Sequence, residues 1–183
     1  MKQGKDSASS TVADAALRAV AEQVHLIVPT IPGGYCMPLL AGAQRAGLQP
    51  LVCGSERGCM FVADGIAVAT GSVVLVVLIT GPGVAAALQG IYCARANRNP
   101  LVVLVGESQV DALGGAVQEG SGFAEPPILE SLRLQTSYCF ATSTPSQAVS
   151  AVTRAVQLAR STRRPAVVSI PFDVQRATWK ESA

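Results

Sequence analysis

The chain alternates between short runs of aliphatic residues and longer segments whose apolar positions recur with helical spacing. The aliphatic runs are unbroken rather than interleaved with polar residues, which is typical of strands covered on both faces. Strands separated by helices predict an α/β fold of three layers, with a central, mainly parallel six-stranded sheet and helices on both faces. The predicted strands lie at 25–28, 51–53, 73–79, 101–105, 138–141 and 166–170.

The helices are predicted from their apolar faces and from the residues that begin or end them. They run over 12–20, 36–46, 56–69, 84–95 and a final segment that begins at Pro145. Gly47 and Gly71 follow the second and third helices, as glycine often does at a helix C-terminus. The final helix is the clearest, because Thr144 can cap its first turn and proline suits the first helical position.

Residues 107–127 interrupt this alternation. The segment contains Gly114, Gly115, Gly120 and Gly122 and ends in two prolines. A loop of this length inside a compact domain is usually functional or disordered. Since it leaves the carboxyl end of a strand, where open α/β sheets place ligands, we predict a functional loop. The chain as a whole is predicted to form a single domain over 11–178, with tails at 1–10 and 179–183.

Composition excludes some classes of protein and leaves one question open. Only 14% of residues are charged, against about 25% in ordinary domains. A surface covered by a partner or very apolar central strands would each explain this shortage of charge. The net charge of +2 is too small to indicate nucleic-acid binding. The apolar run at 73–79 is far shorter than the roughly 20 residues of a membrane helix.

Targeting and cysteine content favour a cytoplasmic protein. The first ten residues are polar, so they do not resemble a secretory signal. The five cysteines are scattered without a CxxC pair, so the sequence predicts neither a zinc site nor a disulfide framework. We expect reduced thiols in a cytoplasm.

The first candidate functional site is the turn Thr80-Gly81-Pro82-Gly83, which follows the third strand and begins a helix. Its amides could meet a phosphate. With Ala86 it matches a dinucleotide-binding fingerprint, and Glu107 would then be the acid that binds the ribose. That fingerprint belongs after the first strand, however, and proline removes an amide from the turn. These residues are compatible with a tight turn that contacts a ligand and also with a turn that binds no ligand.

Glu56 is the second candidate. It follows a short strand and begins a helix, where an acid usually does no more than interact favourably with the helix dipole. Its meaning changes when the motifs are taken in chain order. These are Ile31-Pro32-Gly33-Gly34, Ser55-Glu56, residues 63–71, Gly81-Pro82-Gly83, Gly90-Ile91, residues 99–103, Gly106, Val117-Gln118-Glu119 and residues 164–174.

This ordered series resembles the amino-terminal, pyrimidine-binding domain of the thiamine-diphosphate enzymes that include acetolactate synthase, benzoylformate decarboxylase and related carboligases. The resemblance runs from about residue 12 to 175. It implies that Glu56 hydrogen-bonds N1′ of the cofactor's aminopyrimidine ring and thereby promotes loss of the proton on C2 of the thiazolium. Such an acid needs a poorly solvated site, for which the neighbouring residues 59–62 (Cys-Met-Phe-Val) are candidates.

The resemblance also implies the other residues of the site. Pro32 and Gly33 on one side, and Thr80, Gly81, Pro82 and Gly83 on the other, would flank the pyrimidine as cofactor-binding residues. Gln118 would lie near the substrate. Ser55 stands where relatives commonly have histidine, and Ala85 and Ala86 stand where acetolactate synthases have Thr-Asn. These departures, with Val117 in place of phenylalanine, argue against carrying over the acetolactate substrate.

Relatives bind Mg²⁺ and the diphosphate with a Gly-Asp-Gly motif in a separate domain. The only similar string here, Ala63-Asp64-Gly65, falls inside the predicted third helix, so no metal ligand is assigned to this chain. We therefore expect an α subunit of a thiamine-diphosphate-dependent 2-oxo acid decarboxylase or carboligase. Its partner would be a β subunit with the diphosphate-binding domain and Mg²⁺, in an α2β2 or larger complex. A non-catalytic binding or regulatory module with this fold is the alternative.

Overall fold

The computed structural model describes residues 10–112 and 128–180 of the chain. Its strands are β1 Ile27–Thr30, β2 Gln49–Val52, β3 Val74–Ile79, β4 Leu101–Glu107, β5 Tyr138–Ala141 and β6 Ala166–Pro171. Its α-helices are α1 Val12–Val20, α2 Met37–Arg45, α3 Glu56–Thr70, α4 Pro82–Ala96, α5 Ile128–Arg133, α6 Pro145–Thr162 and α7 Phe172–Arg176. Within these residues, no helix has both the length and the apolar character required to cross a membrane.

The six strands form one sheet in the order β2-β1-β3-β4-β6-β5, and every neighbouring pair is parallel. The predicted fold class is therefore confirmed. From β1 the chain passes to β2 at one edge and then crosses back to β3 on the other side of β1. The carboxyl ends of β1 and β3 are thus the point where the strand order reverses, which is where open α/β sheets form a ligand crevice.

Two apolar cores cover the two faces of the sheet. Helices α1, α2, α6 and α7 pack on one face, and α3, α4 and α5 pack on the other. Successive residues of β3 contribute to opposite cores, with Leu75 and Val77 on the first face and Val76 and Leu78 on the second. Burial on both faces explains why the strands are continuously apolar in sequence.

The signals at helix ends predicted the long helices well. Gly71 ends α3 in the left-handed conformation, at φ 70°, and Thr144 accepts a hydrogen bond from the amide of Gln147 as the N-cap of α6. The short helices α5 and α7 were not predicted, because six and five residues are too few to show a helical period. Strand β1 begins two residues later than predicted and includes Pro29.

Thr30 joins the three strands β2, β1 and β3. Its backbone pairs with Val52 on one side and with Val77 on the other. Its carbonyl accepts a hydrogen bond from the amide of Cys53 at 3.0 Å. Pro29 has no amide hydrogen to offer β3, and the buried hydroxyl of Thr30 donates to the carbonyl of Val77 at 2.7 Å. A side-chain hydrogen bond therefore supplements the backbone pairing between β1 and β3.

We expect Thr30→Val to lower the free energy of unfolding by about 1–3 kcal/mol, because it leaves the buried Val77 carbonyl without this donor. Thr162→Val is the matched control, since the Thr162 hydroxyl also donates to a backbone carbonyl, that of Leu158, but at an exposed position. Water can replace that bond, so the change should stay within about 0.5 kcal/mol. Urea denaturation of both variants is the measurement, and equal losses would contradict the role of Thr30.

Candidate functional site

Three turns leave the carboxyl ends of β1, β2 and β3 and converge around Ile79, the last residue of β3. An ideal Cβ built on Gly33, after β1, would lie 2.8 Å from Cδ1 of Ile79. A Cβ built on Gly83, after β3, would lie 2.8 Å from Cγ2 of the same side chain. A side chain at Gly33 would displace the flexible end of Ile79, and one at Gly83 would press on its branched methyl group. The sequence-predicted residues Gly33 and Gly83 thus contact one isoleucine from two sides.

Glu56 reaches this cluster from the end of β2. It is the first residue of α3, and the side chain of Ser55 caps the helix by accepting a hydrogen bond from the amide of Gly58 at 3.0 Å. The Glu56 side chain is directed at the turn after β3, since its Oε1 lies 3.4 Å from the position of an ideal Cβ on Gly83. The structure therefore brings Gly33, Glu56 and Gly83 together, as the sequence predicts.

The surroundings of Glu56 are poorly solvated on one side. Burial raises the pKa of the Cys59 thiol above its ordinary value, and the nearby Cys53 thiol and Glu56 carboxylate raise that pKa further. Cys59 and Met60 are fully buried, as expected of apolar neighbours. Phe61 and Val62, which were candidates for the same role, instead lie on the outer surface of α3.

The residues of the turn Thr80–Gly83 differ in orientation, backbone conformation and exposure. The hydroxyl of buried Thr80 points into the protein and donates to Oε2 of Glu107 at 2.8 Å. Gly81 has φ 63° and ψ −118°, a conformation that requires glycine. Pro82 is exposed at the start of α4. On the other side of the site Pro32 is also exposed.

The dinucleotide interpretation of this turn has little support in the structure. Its acid, Glu107, is 0% exposed and accepts hydrogen bonds from Thr80 and from the amide of Ser108 at 3.0 Å. A ribose hydroxyl cannot reach a carboxylate in that position. The turn also follows β3, not the first strand of the sheet.

A cavity of about 340 Å³ opens beside the cluster. Ile79 forms part of its lining, together with Gly34, Tyr35, Gln109 and Phe172. The rings of Tyr35 and Phe172 meet edge to face, with centroids 6.1 Å apart. Sequence reasoning missed Tyr35, Gln109 and Phe172. Their common signal is position, because each follows the carboxyl end of a strand, as Gly33 and Gly83 do.

Asp64 does not take part in the site. As predicted, it lies within α3, and its carboxylate accepts hydrogen bonds from the side-chain amides of Asn97 at 2.9 Å and Asn99 at 2.7 Å. Over 10–112 and 128–180, no group of three or more potential metal ligands comes together. Gln118, predicted to lie near the substrate, falls outside the described residues.

The fold and these contacts define a class of protein: an open, parallel α/β domain with a candidate ligand site at its topological switch point. The chain belongs to a particular family within that class. Residues 10–125 match the family model described as thiamine pyrophosphate enzyme, N-terminal TPP binding domain.

Similar proteins agree with the family match. The chain is 30% identical over 172 residues to the probable 2-ketoarginine decarboxylase of Pseudomonas aeruginosa, which covers 91% of this chain and 30% of that protein. It is 28% identical over 164 residues to the large subunit of acetolactate synthase isozyme 3 of Escherichia coli, covering 88% of this chain and 28% of that protein. The chain therefore spans less than a third of the length of these relatives.

A solved structure shows the same fold. Benzoylformate decarboxylase from Polynucleobacter necessarius superimposes with a TM-score of 0.83 over 94% of this chain and 32% of that chain, at 19% sequence identity. The family implies thiamine diphosphate as the ligand. The residues present fit such a ligand, because the half-buried Glu56 carboxylate lies beside Gly83 at the carboxyl edge of the sheet, and a cavity lined in part by Ile79 opens there.

Gly83→Ala tests the packing of the cluster. The added methyl group would lie within 2.8 Å of Ile79 and 3.4 Å of the Glu56 carboxylate, so we expect the free energy of unfolding to fall by about 1–3 kcal/mol. In the control Gly54→Ala nothing lies within 4 Å of the new methyl group. That variant should be as stable as the parent or more stable by up to about 1 kcal/mol. Urea denaturation measures both, and a fully stable Gly83→Ala would contradict the geometry.

Proposed function

We propose that this domain is the pyrimidine-binding α subunit of a heteromeric thiamine-diphosphate-dependent enzyme that decarboxylates 2-oxo acids or joins them to a second carbonyl compound. The observation that carries the proposal is the position of Glu56, which begins α3 with its carboxylate directed at Gly83, in the turn after β3. An acid that only interacts with the helix dipole would have no need to point toward the turn after β3.

Each residue of the site has a task in this proposal. The Glu56 carboxyl group shares a proton with N1′ of the aminopyrimidine ring, and the buried residues beside it limit the access of water. Ile79 with Gly33 and Gly83 orients the ring and brings it within reach of Glu56. Thiamine diphosphate, when bound, supplies the reactive carbon and the electron sink for the 2-oxo acid.

The outer surface of α3 and α4 is an argument that a partner subunit binds this chain. We call it the α3–α4 face and define it by its exposed apolar residues Phe61, Val62, Val68, Ala85, Ala86 and Tyr92. Val68 is 66% exposed and Tyr92 is 51% exposed. Large apolar side chains exposed on two helices that pack together favour a protein interface. Glu56 and Gly83 lie at the first turns of the same two helices, so a protein covering this face would also approach the cofactor.

The partner in this proposal is a β subunit with the diphosphate-binding domain, which holds Mg²⁺ and the diphosphate, in an α2β2 or larger complex. A 2-oxo acid is the substrate class because the matched relative from Pseudomonas is named a probable 2-ketoarginine decarboxylase. All five cysteines are free, and we place the complex in a cytoplasm, where thiols remain reduced.

Glu56→Gln keeps the size of the side chain but cannot transfer a proton. In the complex with the β subunit we expect turnover of 2-oxo acid to fall by roughly 10²- to 10⁴-fold. Glu130→Gln is the control, since Glu130 is an exposed acid that pairs with Arg133 on α5, and it should retain full activity. The measurement is release of CO₂ with thiamine diphosphate present. If the complex forms and binds cofactor but Glu56→Gln is fully active, the catalytic assignment is wrong.

Val68→Asp tests the α3–α4 face. A charge at the centre of an apolar interface remains unpaired when the interface forms, so co-elution with the β subunit should be lost while the thermal stability of the α subunit is unchanged. Ala19→Asp introduces the same charge at an exposed residue of α1, which covers the opposite face of the sheet, and it should leave the complex intact. If no subunit with a diphosphate-binding domain binds even the parent chain, the non-catalytic module becomes the better interpretation.

A further inference from the structure

A buried carboxylate lies beneath the turn that faces Glu56. Glu107, the last residue of β4, is 0% exposed. Its Oε2 accepts hydrogen bonds from the hydroxyls of Thr80 at 2.8 Å and Ser169 at 3.4 Å. Its Oε1 accepts from the amide of Ser108 at 3.0 Å and from the Ser108 hydroxyl at 3.4 Å. One carboxylate thus links β3, β4 and β6 near their carboxyl ends.

Burying a carboxylate is costly unless several donors compensate for the lost water. An apolar side chain could fill the same space between strands at lower cost. The hydrogen bonds of Glu107 therefore indicate that this carboxylate holds its neighbours in position, and one of them, at 2.8 Å, fixes Thr80. Hydrogen bonds to a charged acceptor are stronger and more directional than those between neutral groups.

Thr80 connects the end of β4 to the turn 80–83. Its amide also donates to the carbonyl of Gly106 at 3.1 Å, so both its backbone and its side chain are bound to the end of β4. The next residue, Gly81, adopts a conformation that only glycine takes readily, and α4 begins immediately after it. Gly83, in the first turn of α4, is the residue that faces the Glu56 carboxylate.

We propose that Glu107 is a positioning residue: through Thr80 it fixes the turn 80–83, and the turn sets where Gly83 lies relative to Glu56. The inference rests on the proposed function only in that Glu56 must be the cofactor-activating acid for this position to affect turnover. The effect on the turn itself does not depend on any activity.

The first experiment measures the turn alone, in the full chain without cofactor. Amide hydrogen exchange of a peptide spanning 80–84 should become about tenfold faster in Glu107→Ala and in Thr80→Val, because each removes the bond that fixes the turn. Ser169→Ala is the matched control. It removes another donor to the same carboxylate but leaves the Thr80 contact intact, so exchange in 80–84 should not change.

The second experiment uses the complex with the β subunit at saturating thiamine diphosphate. Glu107→Ala should lower kcat by about ten- to a hundredfold with little change in KM for the 2-oxo acid, because the substrate does not contact Glu107. Glu107→Gln should restore much of the rate. Its amide oxygen can accept from Ser108, and its NH₂ group can donate to the hydroxyls of Thr80 and Ser169. The double variant with Thr80→Val should be no slower than Glu107→Ala alone.

The outcomes separate the two proposals. If Glu56→Gln abolishes turnover but Glu107→Ala and Thr80→Val leave both turnover and exchange in 80–84 unchanged, only the role of Glu107 is refuted. Faster exchange together with full activity in Glu56→Gln refutes the proposed function and leaves the anchoring of the turn in place. If Ser169→Ala produces the same losses as Glu107→Ala, the carboxylate acts on general packing and the inference fails. Should Glu107→Ala not fold, the near-isosteric Thr80→Val decides the question.

Discussion

The geometry of the site depends on the backbone pairing and hydrogen bonds by which Thr30 connects β1 to β2 and to β3. The turns that carry Gly33 and Glu56 leave the sheet at the paired residues Thr30 and Val52, while β3 continues two residues beyond Val77, the partner of Thr30, to Ile79. Pro29 cannot donate a backbone hydrogen bond, so the Thr30 hydroxyl is a contact by which β1 keeps its alignment with β3. The hydroxyl of one threonine in an otherwise apolar sheet thus helps to hold the turns of the site in position.

Sequence reasoning succeeded where the information is local or ordered along the chain. The glycine after α3 and the order of the motifs were sufficient to predict that Glu56 begins α3 and which turns lie near it. The role of Ile79 could not be predicted, because in sequence it is simply the last residue of an apolar run. Its contact with two glycines arises only when β1 and β3 are paired. Tyr35 and Phe172 were missed for the same reason, since they meet across strands far apart in the chain.

The shortage of charged residues has two sources, and the sequence could not separate them. The strands β3 and β4 are buried on both faces, which accounts for part of it. The apolar residues of the α3–α4 face account for another part, because ordinary surface helices carry charges at such positions. The buried polar groups Thr30, Thr80, Glu107 and Ser169 lie toward the carboxyl ends of their strands. The sheet is therefore apolar along most of its length and polar beneath the site.

Helices α3 and α4 pack unusually closely, because a Cβ on Gly90 would lie 2.2 Å from Cβ of Met60. Asp64 of α3 also binds the asparagine side chains that follow α4. These contacts involve the second turn and the middle of α3, together with the middle of α4 and the residues that follow it. The first turns of the two helices carry Glu56 and Gly83. Divergence between relatives with different substrates should therefore accumulate at Tyr35, Gln109 and Phe172. Those residues lie on other elements, where they can vary without altering the spacing between the acid and its glycine.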